Sequence, residues 1–106
     1  MKKMNVFNLP PSLDLTEEVF QPLVKNDHIL IERIISKAHV TPEGQWYDQS
    51  KSEWVMVLKG AAEITFFNEE KVSLTVGEAI ELPAHCKHRV SWTAPNEETL
   101  WLAIHY

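Results

Sequence analysis

Two blocks of this 106-residue chain carry residue types that hold metals and move protons. In the first, Glu53 is followed by six residues and then Gly60. In the second, Gly77 leads through five residues to Pro83, and from there through four to His88. A carboxylate opens one strand, an imidazole opens another, and a glycine or proline marks each corner where the backbone must turn. Two such strands on one β-barrel bring Glu53 and His88 together, where they could share a divalent ion or a polar substrate.

Each candidate has a plain structural alternative. A carboxylate at a strand end is ordinarily solvated. Turned inward it needs a partner, because an unpaired buried carboxylate is costly or takes up a proton. Glu53 shares its face with Val55 and Val57, which favours the inward placement. His88 shares a face with Val90 and Trp92, so it is either a satisfied core residue or a ligand. His85 lies three residues earlier and on a regular strand points the other way. It joins the site only if the turn at Pro83 breaks the alternation; otherwise it is a surface histidine. Cys86 has no partner cysteine and reads as structural.

Tyr47, Asp48 and Gln49 form the remaining polar group. On extended backbone Tyr47 and Gln49 face one way and Asp48 the other. Glu53, His88 and Gln49 make a poor zinc set, more tolerable for Mn²⁺ or Fe²⁺. Asp48 inward in place of Gln49 gives two carboxylates and one imidazole, a better set, and His85 and His39 are further metal candidates. The same residues could instead bind an organic molecule by hydrogen bonds with no metal. Tyr47 or His85 is the expected acid/base or orienting group. Trp46 and Tyr47 are the expected ligand wall, while Trp54, Trp92 and Trp101 are expected to fill the core. His39 and His105 could support a ligand from behind; His28 reads as solvated.

The elements that must position these groups are short strands. From His28 to Ile35 the chain alternates with period two and is rich in β-branched residues. Thr41-Pro42-Glu43-Gly44 forces a turn. Strands are predicted over Glu53–Lys59, Ala79–Leu82, His88–Thr93 and Thr99–His105, and a hairpin over Ala61–Phe67 and Lys71–Val76 around Asn68-Glu69-Glu70. Before this, residues 1–27 read as an arm packed on the barrel formed by residues 28–106. Within the arm, Val19, Phe20, Leu23 and Val24 could line one face of a short helical turn limited by Pro22. The expectation is an all-β barrel or sandwich.

A net charge of −5 and no basic stripe argue against a nucleic-acid partner. A single cysteine excludes an internal disulfide and suits a reducing compartment. The basic start Met-Lys-Lys-Met is followed by no apolar run of signal-peptide length, and nothing approaches a membrane span. A cytoplasmic protein is expected.

Together the two blocks resemble the motifs of the cupin superfamily over His28 to Tyr106. The first such motif ends in a glutamate, six residues and a glycine, matched by Glu53 and Gly60. The second runs from a glycine to a proline and a histidine, matched by Gly77, Pro83 and His88. The resemblance implies a jelly-roll β-barrel, usually with a divalent metal (Mn, Fe, Zn or Ni) inside, and an oxygenase, isomerase or lyase activity on a small molecule. The alternative is a metal-free binding or sensor module for a polar metabolite. The chain departs from the pattern where metal-binding cupins carry His-x-His. Those slots are Tyr47 and Gln49 or, with a gap one residue longer, Trp46 and Asp48. His85 replaces an expected glycine, and Trp92 a frequent asparagine. Trp54, Met56 and Leu58, on the outer face of their strand, together with the habit of cupins, imply a homodimer.

Overall fold

A computed structural model describes residues 1–106. The β-branched alternation resolves into eight strands and no helix: β1 Val19–Lys25, β2 Leu30–Ser36, β3 Glu53–Lys59, β4 Ala61–Phe66, β5 Lys71–Thr75, β6 Ala79–Leu82, β7 His88–Thr93 and β8 Thr99–His105. They pair antiparallel in two sheets, a five-stranded one in the order β1-β2-β8-β3-β6 and a three-stranded one in the order β5-β4-β7. The architecture is therefore a two-sheet jelly roll; its backbone ladders do not run on into one closed barrel. No helix is long and apolar enough to cross a membrane.

The segment read as a helical turn is instead the edge strand β1. It pairs with β2 from Val19↔Ile35 to Lys25↔Leu30, with an irregularity between Pro22 and Val24. An edge strand needs only one of its two rows of hydrogen bonds, so it accommodates Pro22 where a helix would not. Residues N-terminal to β1 reach the outer side of β2. There the buried Arg33 donates from Nη1 to the carbonyls of Val6 and Asn8, and from Nε to Gln21 Oε1.

Between the sheets lies a core that includes Val55, Val57, Ala62, Ile64, Leu74 and Trp101. The alternation on β3 assigns the faces as expected. Glu53, Val55 and Val57 are buried, and Trp54, Met56 and Leu58 are half-buried on the other side. Gly60 makes the corner into β4 at φ +84°, and a Cβ there would stand 2.5 Å from Thr99 Oγ1. Both the left-handed backbone and the close approach require glycine.

Of the tryptophans expected in the core, only Trp101 is there. Trp54 is half-buried on the outer face of β3, and Trp92 is 45% exposed. The reason for Trp92 is local. Ala62 pairs with Thr93 and Glu63 with Trp92, but Ile64 pairs with Val90, so Ser91 is an extra residue in β7. That bulge reverses the alternation and turns Trp92 outward.

Candidate functional site in the inter-sheet cavity

Antiparallel register builds the site. On β3 and β8, Glu53 pairs with His105, Val55 with Ala103 and Val57 with Trp101. On the other side of β8, Leu30 pairs with His105 and Glu32 with Ala103. Residues two apart share a face, so Glu53, His105 and Glu32 crowd one end of the interior. His88 opens β7 across from them. Between the sheets is a cavity of about 60 Å³, counted for the centres of water molecules, enough for a few waters or a small ligand. Apolar side chains such as Ile34, Val55, Ile64, Leu82 and Trp101 form much of its wall; Glu18, Glu32, Glu53, His88, His105, Tyr47 and Gln49 supply its polar groups.

The two imidazoles are held differently. His88 Nδ1 donates to the Cys86 carbonyl at 2.8 Å, so its Nε2 is directed toward Glu53, with Oε1 4.0 Å away. The ring also stacks on Tyr47, with centroids 5.5 Å apart and planes at 25°. Backbone bonds between Tyr47 and His88 in both directions, 2.8 and 3.2 Å long, fix that contact. His105 Nε2 lies 2.8 Å from Glu32 Oε1 and 3.8 Å from Glu53 Oε2. Glu53 is thus flanked by both imidazoles, and Glu32 backs one of them.

Burial sets the electrostatics. Glu53 is held above the ordinary carboxylate range chiefly by desolvation, which His105 and His88 partly offset and Glu32 reinforces. Glu18, whose Oε2 accepts from Ser36 Oγ, is also raised by burial. The Tyr47 phenol is pushed up by burial and then by the charge of Glu18. All three are shifted toward keeping their protons.

The site loop answers the question of the motif gap. Tyr47 and Gln49 line the cavity; Trp46 and Asp48 do not. Trp46 faces an outer groove instead, with Phe67 5.2 Å from its ring and the Arg89 guanidinium 5.8 Å away. It is no wall of the inner cavity, because extended backbone sends neighbours to opposite sides. Asp48 pairs at 2.8 Å with His85 Nδ1 on the surface, where the His85 side chain is 71% exposed. His85 sits at φ +62°, and its N–H donates to the Gln49 carbonyl at 2.7 Å. The turn therefore turns His85 out of the cavity and clips the site loop from outside. His39 accepts from the Lys37 N–H and lines the outer groove, not the cavity. The sequence reading missed two cavity carboxylates. Glu32 was visible as a charge amid an apolar strand, but Arg33 beside it left the inward face ambiguous. Glu18 precedes an edge strand mistaken for a turn of helix and carried no such signal.

Comparison with known proteins now bears on this geometry. The family model described as "Cupin domain" matches residues 37–105. The chain belongs to the cupin family. The cavity lined by Tyr47, Gln49, Glu53 and His88 thus lies within a cupin domain. A crystal structure from Ralstonia eutropha JMP134, of a protein provisionally named mannose-6-phosphate isomerase, is 40% identical, with a TM-score of 0.90 over 99% of this chain and 97% of that one. A cupin superfamily protein from Desulfitobacterium hafniense DCB-2 is 18% identical, with a TM-score of 0.72 over 89% and 81% of the two chains. The cobalt(II) form of HppE is 14% identical, with a TM-score of 0.71 over 93% of this chain and 60% of its own. The last two likenesses concern the fold alone. Comparison with curated proteins found no match.

The cavity's donors can be tested against a resident metal. No three His, Cys, Asp or Glu side chains are grouped so as to hold an ion. His105 Nε2 is engaged by Glu32, and an amide and a phenol stand in the two histidine slots. Trp101, a wall residue, has a buried Nε1–H with no partner, a donor that suits an oxygen acceptor and not a cation. The donor set falls short of a tightly held metal centre.

Proposed function

We propose that this cupin binds a small polar organic molecule in its cavity and exchanges protons with it through two carboxylate–imidazole couples, Glu53–His88 and Glu32–His105. The observation that carries the reading is Glu53, a carboxylate held above its usual range by burial and facing an imidazole on each side. A base so placed takes a proton from bound ligand, and a neighbouring imidazole returns one elsewhere on it. Isomerase chemistry of that kind accords with the name of the 40%-identical relative. Tyr47 and Gln49 orient the ligand. The test is a screen of small hydroxylated and carbonyl compounds against the imidazole NMR signals of His88 and His105. Binders should move both sets of signals, and His88→Ala should weaken them at least about tenfold while the fold persists. Binders that leave both imidazoles unmoved would place the site elsewhere.

A second reading, a weakly held divalent ion (Mn, Fe, Zn or Ni) on Glu53, His88 and Gln49, is favoured by the direction of His88 Nε2, left free by the Nδ1 bond to Cys86. Elemental analysis of tag-free protein tests it. Near-stoichiometric metal that disappears in His88→Ala would replace the metal-free reading.

We also propose a homodimer through the outer face of β3, in a cytoplasmic protein. Trp54, Met56 and Leu58 remain half-exposed there. Light scattering should give twice the 12.2 kDa chain mass, and Trp54→Lys should shift it toward monomer.

A further inference from the structure

We infer that the molecule this cavity takes is uncharged and oxygen-bearing, and that Glu18 and Glu32 keep phosphorylated and carboxylated compounds out. The inference rests on the small-molecule reading above and specifies its substrate class.

The cavity wall contains three glutamates and no lysine or arginine. Enzymes that hold phosphate or carboxylate groups do so with guanidinium, ammonium or clustered backbone N–H donors. The cations nearby are committed elsewhere. Arg33 points to the outer side of β2 and is held there by Gln21 and two backbone carbonyls. Arg89 lies over the Trp46 ring, and Lys87 over Phe67. An anion entering would meet Glu18, Glu32 and Glu53 in a partly desolvated space, repelled by each that is ionised and staying only at the cost of driving further proton uptake. Trp101 is 3% exposed, lines the same cavity, and has an indole N–H without a partner. A buried orphan donor calls for an oxygen acceptor, and a hydroxyl or carbonyl supplies one without bringing negative charge. Hydroxyls also donate to the carboxylates, which a bare anion cannot do.

Glu18 and Glu32 both precede the residues 37–105 that match the family model. The discrimination therefore comes from this chain's N-terminal part, not from the motif residues. The name of the 40%-identical protein contains a phosphate ester; the cavity of this chain has no guanidinium or ammonium to receive one.

The experiment follows the Trp101 indole N–H and the His88 and His105 signals by NMR at low ionic strength. The probes are inorganic phosphate and two matched pairs: glycerol with glycerol 3-phosphate, and D-mannose with D-mannose 6-phosphate. In the wild-type chain, phosphate and both esters should leave these signals unmoved at tens of millimolar. Any parent alcohol that binds should do so at least about tenfold more tightly than its ester. Glu18→Lys should gain a response to phosphate, and the milder Glu18→Gln should gain a smaller one. An ester that moves the Trp101 signal at or below the concentration its parent needs overturns the inference. So does a phosphate response in the wild-type chain, or its absence from both folded variants. If no neutral probe binds, the small-molecule reading loses support, while the phosphate arms still decide this one.

Discussion

The space between the sheets has two ends built on the same strands. Along β3 the inward positions run from Glu53 through Val55 to Val57; along β8, in the opposite direction, from Trp101 through Ala103 to His105. At the Val57 end, Ala62 and Leu74 close the gap with apolar atoms, and the one buried side-chain donor left without a partner is the Trp101 indole N–H. At the Glu53 end the same backbone pairing holds carboxylates and imidazoles that burial penalises. The contrast teaches where each property resides. One end supplies cohesion, and the other carries groups that the fold tolerates at a cost in stability. Substitutions should divide accordingly.

Leu74→Ala should have the largest effect on stability. It removes a side chain only 3% exposed from the packed core and should cost about 2–5 kcal/mol, read from the urea midpoint. A cost below about 1 kcal/mol would mean that the apolar end is not the source of cohesion.

Glu53→Gln should do the reverse at neutral pH, raising the melting temperature by a few degrees while ligand binding falls. The sign follows from the raised carboxyl. The folded state prefers the protonated form, so above the folded pKa the ionised group costs stability; as pH falls below that value the cost shrinks, and it is gone below the ordinary carboxylate range. The advantage of Glu53→Gln should therefore shrink on acidification in thermal melts. An advantage that grows instead would show the carboxylate to be stabilised by its imidazoles.

The smallest effect belongs to Asp48→Asn. It weakens an exposed pair with His85 and should change stability by about 0–1 kcal/mol, less as salt is added. A larger loss would extend the polar end's energetics out to the surface clip.

Much of this was legible in the residues. Period two and β-branching marked the strands, and Glu53-x6-Gly60 with Gly77, Pro83 and His88 marked the corners. Alternation grouped Glu53 with Val55 and Val57 on one face of β3, because residues two apart share a side, and that grouping favoured the inward placement that the buried Glu53, Val55 and Val57 bear out. Gly60 was readable too, since its conformation is a property of the backbone.

What the sequence left open is what long-range pairing decides. Alternation cannot say which face of β2 meets the cavity when Glu32 and Arg33 stand side by side; pairing of β2 with β8 puts Glu32 beside His105. It cannot foresee the bulge at Ser91 that turns Trp92 outward, because a bulge is a mismatch between two strands. Nor can it assign Val19–Lys25 to the sheet edge, where Pro22 is acceptable only because one side of the strand has no partner. Residue types and local periodicity therefore determined the strands and half of the polar cluster. The tertiary structure alone brought Glu18 and Glu32 to it and set His105, expected only as a support, between Glu32 and Glu53, since their proximity depends on strands paired across most of the chain.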